Sequence, residues 1–106
     1  MATFKSYVFS EVGVTEATVY APSEKSIVIG LAIANIYGSV MPITIRLFKS
    51  GGATVNIAKS RRIESGTYVD LMAGNKLVIE SGDVLKAFAG DADAFDLSIS
   101  VLEGVA

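Results

Sequence analysis

The feature that most restricts the fold of this chain is a two-residue alternation of apolar and polar side chains near its end. In segment 95–101, Phe, Leu, Ile and Val occupy every second position, and Asp or Ser stands between them. Alternate residues of a β-strand point to opposite faces, so the segment predicts a strand with one buried and one solvated face. At the helical period the same side chains would scatter around the axis and form no apolar stripe.

The same alternation recurs in segment 42–49. Its apolar residues share one predicted face, and its polar residues share the other. The buried face is predicted to hold Ile43, Ile45 and Leu47, and the solvated face Thr44 and Arg46.

Glycines divide the rest of the chain into short segments rich in Val, Ile, Thr, Tyr and Phe. Gly66, Gly74, Gly82 and Gly90 are each eight residues apart. Turn residues at this spacing predict a sandwich or a barrel, and no stretch has the length of a crossover helix. We therefore predict an all-β fold: one antiparallel β-sandwich domain over residues 1–106, jelly-roll or immunoglobulin-like, with about eight or nine short strands.

The predicted strands follow from these runs, and tight turns are predicted at Gly74-Asn75 and Gly82-Asp83. The strands are Phe4–Val12, Thr18–Ala21, Ser26–Asn35, Pro42–Lys49, Ala53–Ile57, Thr67–Leu71, Leu77–Glu80, Val84–Ala89 and Phe95–Val101.

The segment Ser26–Asn35 is apolar on both predicted faces, which is typical of a strand covered on two sides. Periodicity alone leaves a helix over residues 27–36 as the alternative. As a strand, it places bulky side chains on one face and small ones on the other. The bulky residues are Ile29, Leu31 and Ile33, and the small ones are Gly30, Ala32 and Ala34. Because small residues permit the close approach of another backbone, we expect a subunit interface at the face that carries Gly30, Ala32 and Ala34.

Composition supports an assembling protein and disfavours several other classes. Apolar residues make up 51% of the chain and charged residues 19%, which suggests more apolar surface than one small core can hide. A net charge of −2 disfavours nucleic acid as a partner. The basic pair Arg61-Arg62, preceded by Lys59, predicts a solvated strand edge or turn, with an intersubunit salt bridge as the alternative.

Neither a membrane segment nor a secretory signal is recognisable in the sequence. The most apolar run, residues 27–36, has half of the roughly 20 residues that cross a bilayer. The first residues lack a charged stretch followed by an apolar one. We therefore expect a soluble chain with no membrane partner.

The sequence has neither Cys nor His, which removes the thiolate nucleophile, the commonest general base and the commonest metal ligand. Paired carboxylates, a Ser-Lys dyad or a metal held by oxygen ligands would be the remaining routes to catalysis. We therefore predict that the chain is not an enzyme and has no cofactor. Asp91, Asp93 and Asp96 alternate closely enough to offer oxygens to a cation such as calcium. A solvated hairpin loop is the favoured interpretation of that segment, because Asp is common in turns.

The four tyrosines offer a further candidate site. Exposed on one surface, they would form a platform for a carbohydrate, whereas singly spaced strand aromatics more often lie in a core or an interface. They are Tyr7, Tyr20, Tyr37 and Tyr68.

Two stretches carry a resemblance to a known group of proteins. Val19–Leu31, continued by Ala34-Asn35, and Gly66–Leu71, followed by Gly74–Lys86, resemble the small β-sandwich accessory proteins of tailed-bacteriophage virions. The resemblance implies a virion structural role, as a capsid decoration (cement) protein or as a tail, neck or collar component. Such proteins have no catalytic residues, and their shell-binding surfaces vary, so no site residue carries over.

Together these observations predict a capsid decoration subunit that stabilises a phage shell through apolar intersubunit contacts. Its partners would be further copies of itself, as a homo-oligomer such as a trimer, and the major capsid protein or other virion proteins. It would reside in the virion after assembly in the host cytoplasm. The alternative is a tail, neck or fibre module that binds a host receptor or carbohydrate. An exposed aromatic cluster on a loop face would distinguish that alternative.

Overall fold

The computed structural model describes residues 3–72 and 76–104, and its regular structure is β-strand joined by turns. Each predicted strand is present within a few residues, and every strand pairing is antiparallel. The strands are β1 (Thr3–Val12), β2 (Ala17–Tyr20), β3 (Ser26–Asn35), β4 (Met41–Phe48), β5 (Thr54–Ile63), β6 (Tyr68–Asp70), β7 (Leu77–Ile79), β8 (Val84–Ala89) and β9 (Phe95–Glu103).

The strands form two sheets that share one core. The first sheet has the order β1-β9-β3-β6, with β7 also paired to β3, and the second has the order β2-β8-β4-β5. Strands β1 and β2 therefore belong to different sheets, whereas the first two strands of an immunoglobulin domain are neighbours in one sheet. The antiparallel sandwich is confirmed, and its strand order is that of a jelly roll.

Two of the nine strands in residues 3–72 and 76–104 occupy the same position in the first sheet. Both β6 and β7 pair with β3 on the edge opposite β9, β6 along residues 32–34 and β7 along residues 26–28. The Asp70 carboxylate accepts hydrogen bonds from the backbone N–H groups of Leu31 and Met72, at 3.1 and 3.0 Å, where β6 ends. The predicted turn at Gly74-Asn75 lies outside the described residues.

The predicted pleat of the core strands is confirmed. Alternate residues of β9 are buried, and the predicted inward residues of β4 are buried with them. Thr44, predicted to be solvated, is instead buried, because β5 bulges against it and the Ser60 backbone N–H donates to its hydroxyl at 3.0 Å. The fully buried row of β9 is Phe95, Leu97, Ile99 and Val101.

A β-bulge changes the expected faces of β3. The register on β9 shifts between Val28 and Gly30, so one extra residue is inserted and the pleat is interrupted. Val28 and Leu31 are both fully buried, and Ile29 between them is 36% exposed. The prediction that Ile29 shares the buried face of Leu31 is therefore wrong, as is the helix alternative for this segment.

The turn that joins β7 to β8 is tied to the β4–β5 hairpin through one buried carboxylate. Gly82, with φ of 89°, supplies the left-handed residue of the turn. Asp83 accepts hydrogen bonds from the Lys49 ammonium at 2.6 Å and from the backbone N–H groups of Ser50 and Glu80, each at 3.0 Å. Burial raises the pKa of Asp83, but these hydrogen bonds outweigh it and hold the pKa below its ordinary 3.8.

Strand β5 is longer than predicted and irregular. The predicted strand ended at Ile57, whereas the observed one continues through Arg61 and Arg62 to Ile63. Two register shifts against β4 and a left-handed Ser60, with φ of 51°, absorb the extra residues.

No helix of the described residues is both long and apolar enough to cross a bilayer.

Replacing Ile99 by alanine tests the assignment of inward faces. Ile99 is fully buried in the central strand of its sheet, so Ile99→Ala is expected to lower the free energy of unfolding by about 2–5 kcal/mol. The matched variant Val14→Ala removes apolar atoms from a 57% exposed position in the bend between β1 and β2 and is expected to cost less than about 0.5 kcal/mol. Urea denaturation followed by circular dichroism measures both, and equal losses would contradict the assignment.

Candidate assembly surface

The outward side of the first sheet displays an unusual amount of apolar side chain. Among the described residues, eight large apolar side chains are exposed, and five of them lie on this side. Phe4, Val8 and Tyr68 are each more than 70% exposed. We call this surface the apolar face and define it by Phe4, Val8, Ile29, Gly30, Ala32, Ala34, Tyr68 and Val78.

A groove runs across the apolar face because its central strands carry small side chains. Ala32 and Ala34 on β3 and Ser98 on β9 form the floor, and Val8 and Tyr68 stand on the two sides. The groove has a volume of about 500 Å³. A second hollow of about 320 Å³ lies further along the face, beside Phe4 and Ile29.

The structure separates the two groups of predicted interface residues. Gly30, Ala32 and Ala34 lie together on the apolar face, as expected from the small-residue pattern. Arg61 and Arg62 lie on β5, the edge strand of the other sheet, with exposed side chains. No carboxylate oxygen in the described parts of the chain is within 4.0 Å of either guanidinium.

The outward side of the second sheet is different, because charged groups cover its aromatic rings. The Arg46 guanidinium forms a two-pronged contact with the Glu16 carboxylate, both bonds at 2.8 Å. It also lies over the rings of Phe48 and Phe88, 5.4 and 5.5 Å from their centroids. The Lys86 ammonium covers Phe48 at 4.8 Å. This surface is therefore suited to water, whereas the apolar face is not.

A glutamate at the end of β9 connects the two sheets. The Glu103 carboxylate accepts hydrogen bonds from the hydroxyls of Tyr20 on β2, at 2.6 Å, and Tyr7 on β1, at 2.9 Å. The Lys5 ammonium lies 3.6 Å away. The Tyr20 hydrogen bond, supported by Tyr7 and Lys5, outweighs burial and lowers the pKa of Glu103 below its ordinary 4.5.

Sequence reasoning missed this network, although a signal for it exists. Glu103 falls two residues after Val101 and so continues the inward row of β9. An ionisable residue at an inward position requires polar partners from the facing sheet. The inward tyrosines supply them, since Tyr7 and Tyr20 have ring centroids 5.7 Å apart.

The four tyrosines do not share one exposed surface, so the structure does not support a carbohydrate platform, the less favoured of the two interpretations. Tyr20 is buried and Tyr7 half-buried around Glu103. Tyr37 lies in a loop, where its hydroxyl donates to the Asp91 carboxylate at 2.7 Å. Tyr68, on the apolar face, is the single strongly exposed tyrosine, and all four positions fall within the described residues.

The acidic segment before β9 does not converge on one point. Asp91 is engaged by Tyr37, and Asp96 accepts the backbone N–H of Glu11 at 2.9 Å. Asp93 has a left-handed backbone, with φ of 51°. Across residues 3–72 and 76–104, no group of three or more acidic, His or Cys side chains is arranged to hold a metal ion. This arrangement favours the solvated-loop interpretation.

Comparison with known proteins identifies the fold but no family. No protein-family model matches the sequence, and no curated protein matches it. A chain of the disulfide-linked pili that form Bacillus endospore appendages is similar in structure, with 12% identity and a TM-score of 0.60. That match covers 99% of this chain and 89% of the pilus chain.

Two viral structures have lower similarity. A chain of the T=1 particles derived from infectious bursal virus has 17% identity and a TM-score of 0.51, over 95% of this chain and 31% of the viral one. A pentameric capsid protein from metagenomic phage sequences has 19% identity and a TM-score of 0.46, over 90% of this chain and 60% of that one. At identities this low, the similarity is one of fold.

Replacing Glu103 by glutamine tests the network that joins the sheets. Glu103→Gln is expected to lower the free energy of unfolding near neutral pH by about 1–3 kcal/mol, because charge-assisted hydrogen bonds become neutral ones. The folded pKa of Glu103 lies below its unfolded value. As the pH falls, Glu103 is therefore protonated in the unfolded chain before it is protonated in the folded chain. The greater unfolding free energy of the wild type is lost as the pH falls from 4.5 through the folded pKa.

Urea denaturation of both proteins between about pH 7 and pH 3 measures this difference. Glu64→Gln, at an exposed turn position, is the control and is expected to follow the wild type. A wild-type advantage that stays constant across this range would contradict the proposed role of Glu103.

Proposed function

We propose that this chain is a structural subunit of a virion and, in finer detail, a capsid decoration (cement) protein of a tailed bacteriophage. It acts by binding copies of itself and neighbouring shell proteins and does not require catalysis. Its place is on the assembled particle.

The apolar face is the observation that carries this proposal. Contiguous exposed apolar surface on a soluble domain marks a site of interaction with another molecule. Here, Phe4, Val8 and Tyr68 project beside a floor of small residues, a shape that accommodates ridges from a facing protein. Each 100 Å² of apolar surface buried there would contribute roughly 2.5 kcal/mol, a term repeated at every copy on a symmetric shell.

The fold and the sequence resemblance support the virion context. Jelly rolls are recurrent in viral capsids, although lectins and cupins share the architecture, so the fold alone does not decide. The segments that resemble phage accessory proteins include β3, which supplies the floor of the groove. A lectin-like role has less support because three of the four tyrosines donate hydrogen bonds to carboxylates of the same chain.

The same observations weaken the alternative of a receptor-binding tail or fibre module. Such a module would present aromatic side chains on a loop face. The loop tyrosine, Tyr37, is half-buried and bonded to Asp91, and the exposed Phe4 and Tyr68 lie on strands.

A filament subunit is the second candidate function, favoured by the structural match to the endospore pilus chain over nearly the whole of both proteins. A chain without cysteine would have to form such a filament without disulfide links. Negative-stain electron microscopy of the concentrated protein separates the candidates, since filaments formed by the isolated chain would favour this one.

Filling the groove tests the role of the apolar face in assembly. Ala32→Trp places a large ring on the groove floor and is expected to reduce binding to capsids at least tenfold, with little effect on folding, since the position faces out of the sandwich. Thr18→Trp is the matched control, because Thr18 is exposed on the outward side of the other sheet.

The measurement is co-sedimentation of the purified chain with empty capsids, and separately with tails, of the phage that encodes it on this proposal. Saturable binding to capsids that Ala32→Trp weakens and Thr18→Trp preserves is the expected result. A chain that binds neither capsids nor tails would overturn the virion role. A chain that binds tails alone would overturn the decoration role.

A further inference from the structure

The edges of the two sheets differ in how well they are protected against pairing with another chain. A free edge strand offers unpaired backbone groups, and proteins usually block it with bulges, charges or short length. Strand β2 has four residues, and β6 and β7 have three each. Strand β5 is bulged and carries the cations Lys59, Arg61 and Arg62.

Strand β1 has none of these protections over most of its length. It pairs with β9 without interruption from Thr3 to Phe9, and its bulge comes only between Phe9 and Val12. Lys5 is the single charged residue in segment 3–9, which contains no proline. The other edge of β1 has no strand partner among the described residues. It is therefore the long edge in this part of the protein that is open to pairing.

We infer that β1 pairs in antiparallel fashion with β1 of a second copy of this chain, about a two-fold axis that passes beside Ser6. This interface rests on the proposed function in one respect, since both require that the chain assembles. It deepens that function by naming the contact between copies.

The sequence of β1 is self-complementary about Ser6, which is why the inferred partner is a second copy. With Ser6 opposite Ser6, Phe4 lies opposite Val8 of the second copy, and Val8 lies opposite its Phe4. These side chains are 72% and 75% exposed in the isolated chain, and opposed apolar pairs on one face are the unit of sheet stabilisation. On the other face of the strand, Lys5 lies opposite Tyr7 of the second copy.

Pairing centred one residue away from Ser6, in either direction, gives a less favourable set of opposed side chains. Centring the pair on Lys5 places two ammonium groups directly opposite each other, and like charges in that position are destabilising. Centring it on Tyr7 places Phe4 opposite Ser10 and Val8 opposite Ser6, so that the apolar pairs are lost. Pairing about Ser6 also joins the first sheet of one copy to the first sheet of the other. The apolar faces of both copies then lie side by side and present a wider surface to a shell.

Charge substitution at Ser6 tests this register, because a residue on the two-fold axis meets itself. Ser6→Lys and Ser6→Asp each bring like charges together and are expected to weaken self-association at least tenfold, while an equimolar mixture of the two variants re-forms a dimer. Ser10→Lys, on the same strand and face but outside the paired segment 4–8, is the control and is expected to dimerise as the wild type does. Sedimentation equilibrium measures self-association of the wild type, the three variants and the mixture.

A cysteine at Ser6 gives an independent test in a chain with no other cysteine. The Cα atoms of directly opposed residues in an antiparallel pair lie about 4.5–5.5 Å apart, within the range that a disulfide spans, so Ser6→Cys is expected to form a covalent dimer under mild oxidation. Ser10→Cys is expected to remain largely monomeric on a non-reducing gel. Circular dichroism verifies that each variant retains its strands.

Three results would overturn the inference: a monomeric wild type at all concentrations tested, self-association unaffected by Ser6→Lys, or equal cross-linking of the two cysteine variants. Each is distinct from failure of the proposed function. A wild type that dimerises through β1 but binds no capsid supports the interface and contradicts the virion role. A wild type that binds capsids as a monomer supports the virion role and contradicts the interface.

Discussion

The structure depends on the burial of one row of side chains in β9, the strand held between β1 and β3 in the first sheet. Phe95, Leu97, Ile99 and Val101 are almost wholly inaccessible to water, and β9 is paired along both edges. A slip of one residue would turn this row outward, so its burial fixes the register of both neighbours. It also decides which residues of β1 and β3 face outward and thereby creates the apolar face.

Much of this arrangement can be predicted from the sequence, because the pleat has a fixed period of two. That period predicted the buried row of β9 and the outward-facing position of Ala32. The prediction from this period is wrong at Ile29, because β3 has one extra residue there relative to β9. Such a bulge depends on the pairing with β9, which the local composition of β3 does not reveal. It also gave no warning that Tyr20 would turn inward to Glu103, since that contact joins residues far apart in the sequence.

The two outward surfaces differ in charge, and this difference distinguishes the solvated side from the side that we propose to be the assembly surface. On the second sheet, Arg46 and Lys86 cover the rings of Phe48 and Phe88, and the edge strand β5 carries cations. On the first sheet, the groove is lined by small side chains and one carboxylate, Asp96, which accepts a backbone hydrogen bond from Glu11, and segment 3–9 of the edge strand β1 carries a single charge, Lys5. Apolar surface is thus concentrated on one side of a thin sandwich, as a subunit that binds through a single side requires.

The most direct test of this account compares the solvent access of aromatic side chains in the free chain and in the chain bound to capsids. Hydroxyl-radical footprinting with mass spectrometry reports that access ring by ring. The account predicts that Phe4 and Tyr68 lose reactivity on assembly, while Phe48 and Phe88, on the opposite outward surface, keep theirs. Protection of Phe48 and Phe88 with Phe4 and Tyr68 unchanged would contradict it.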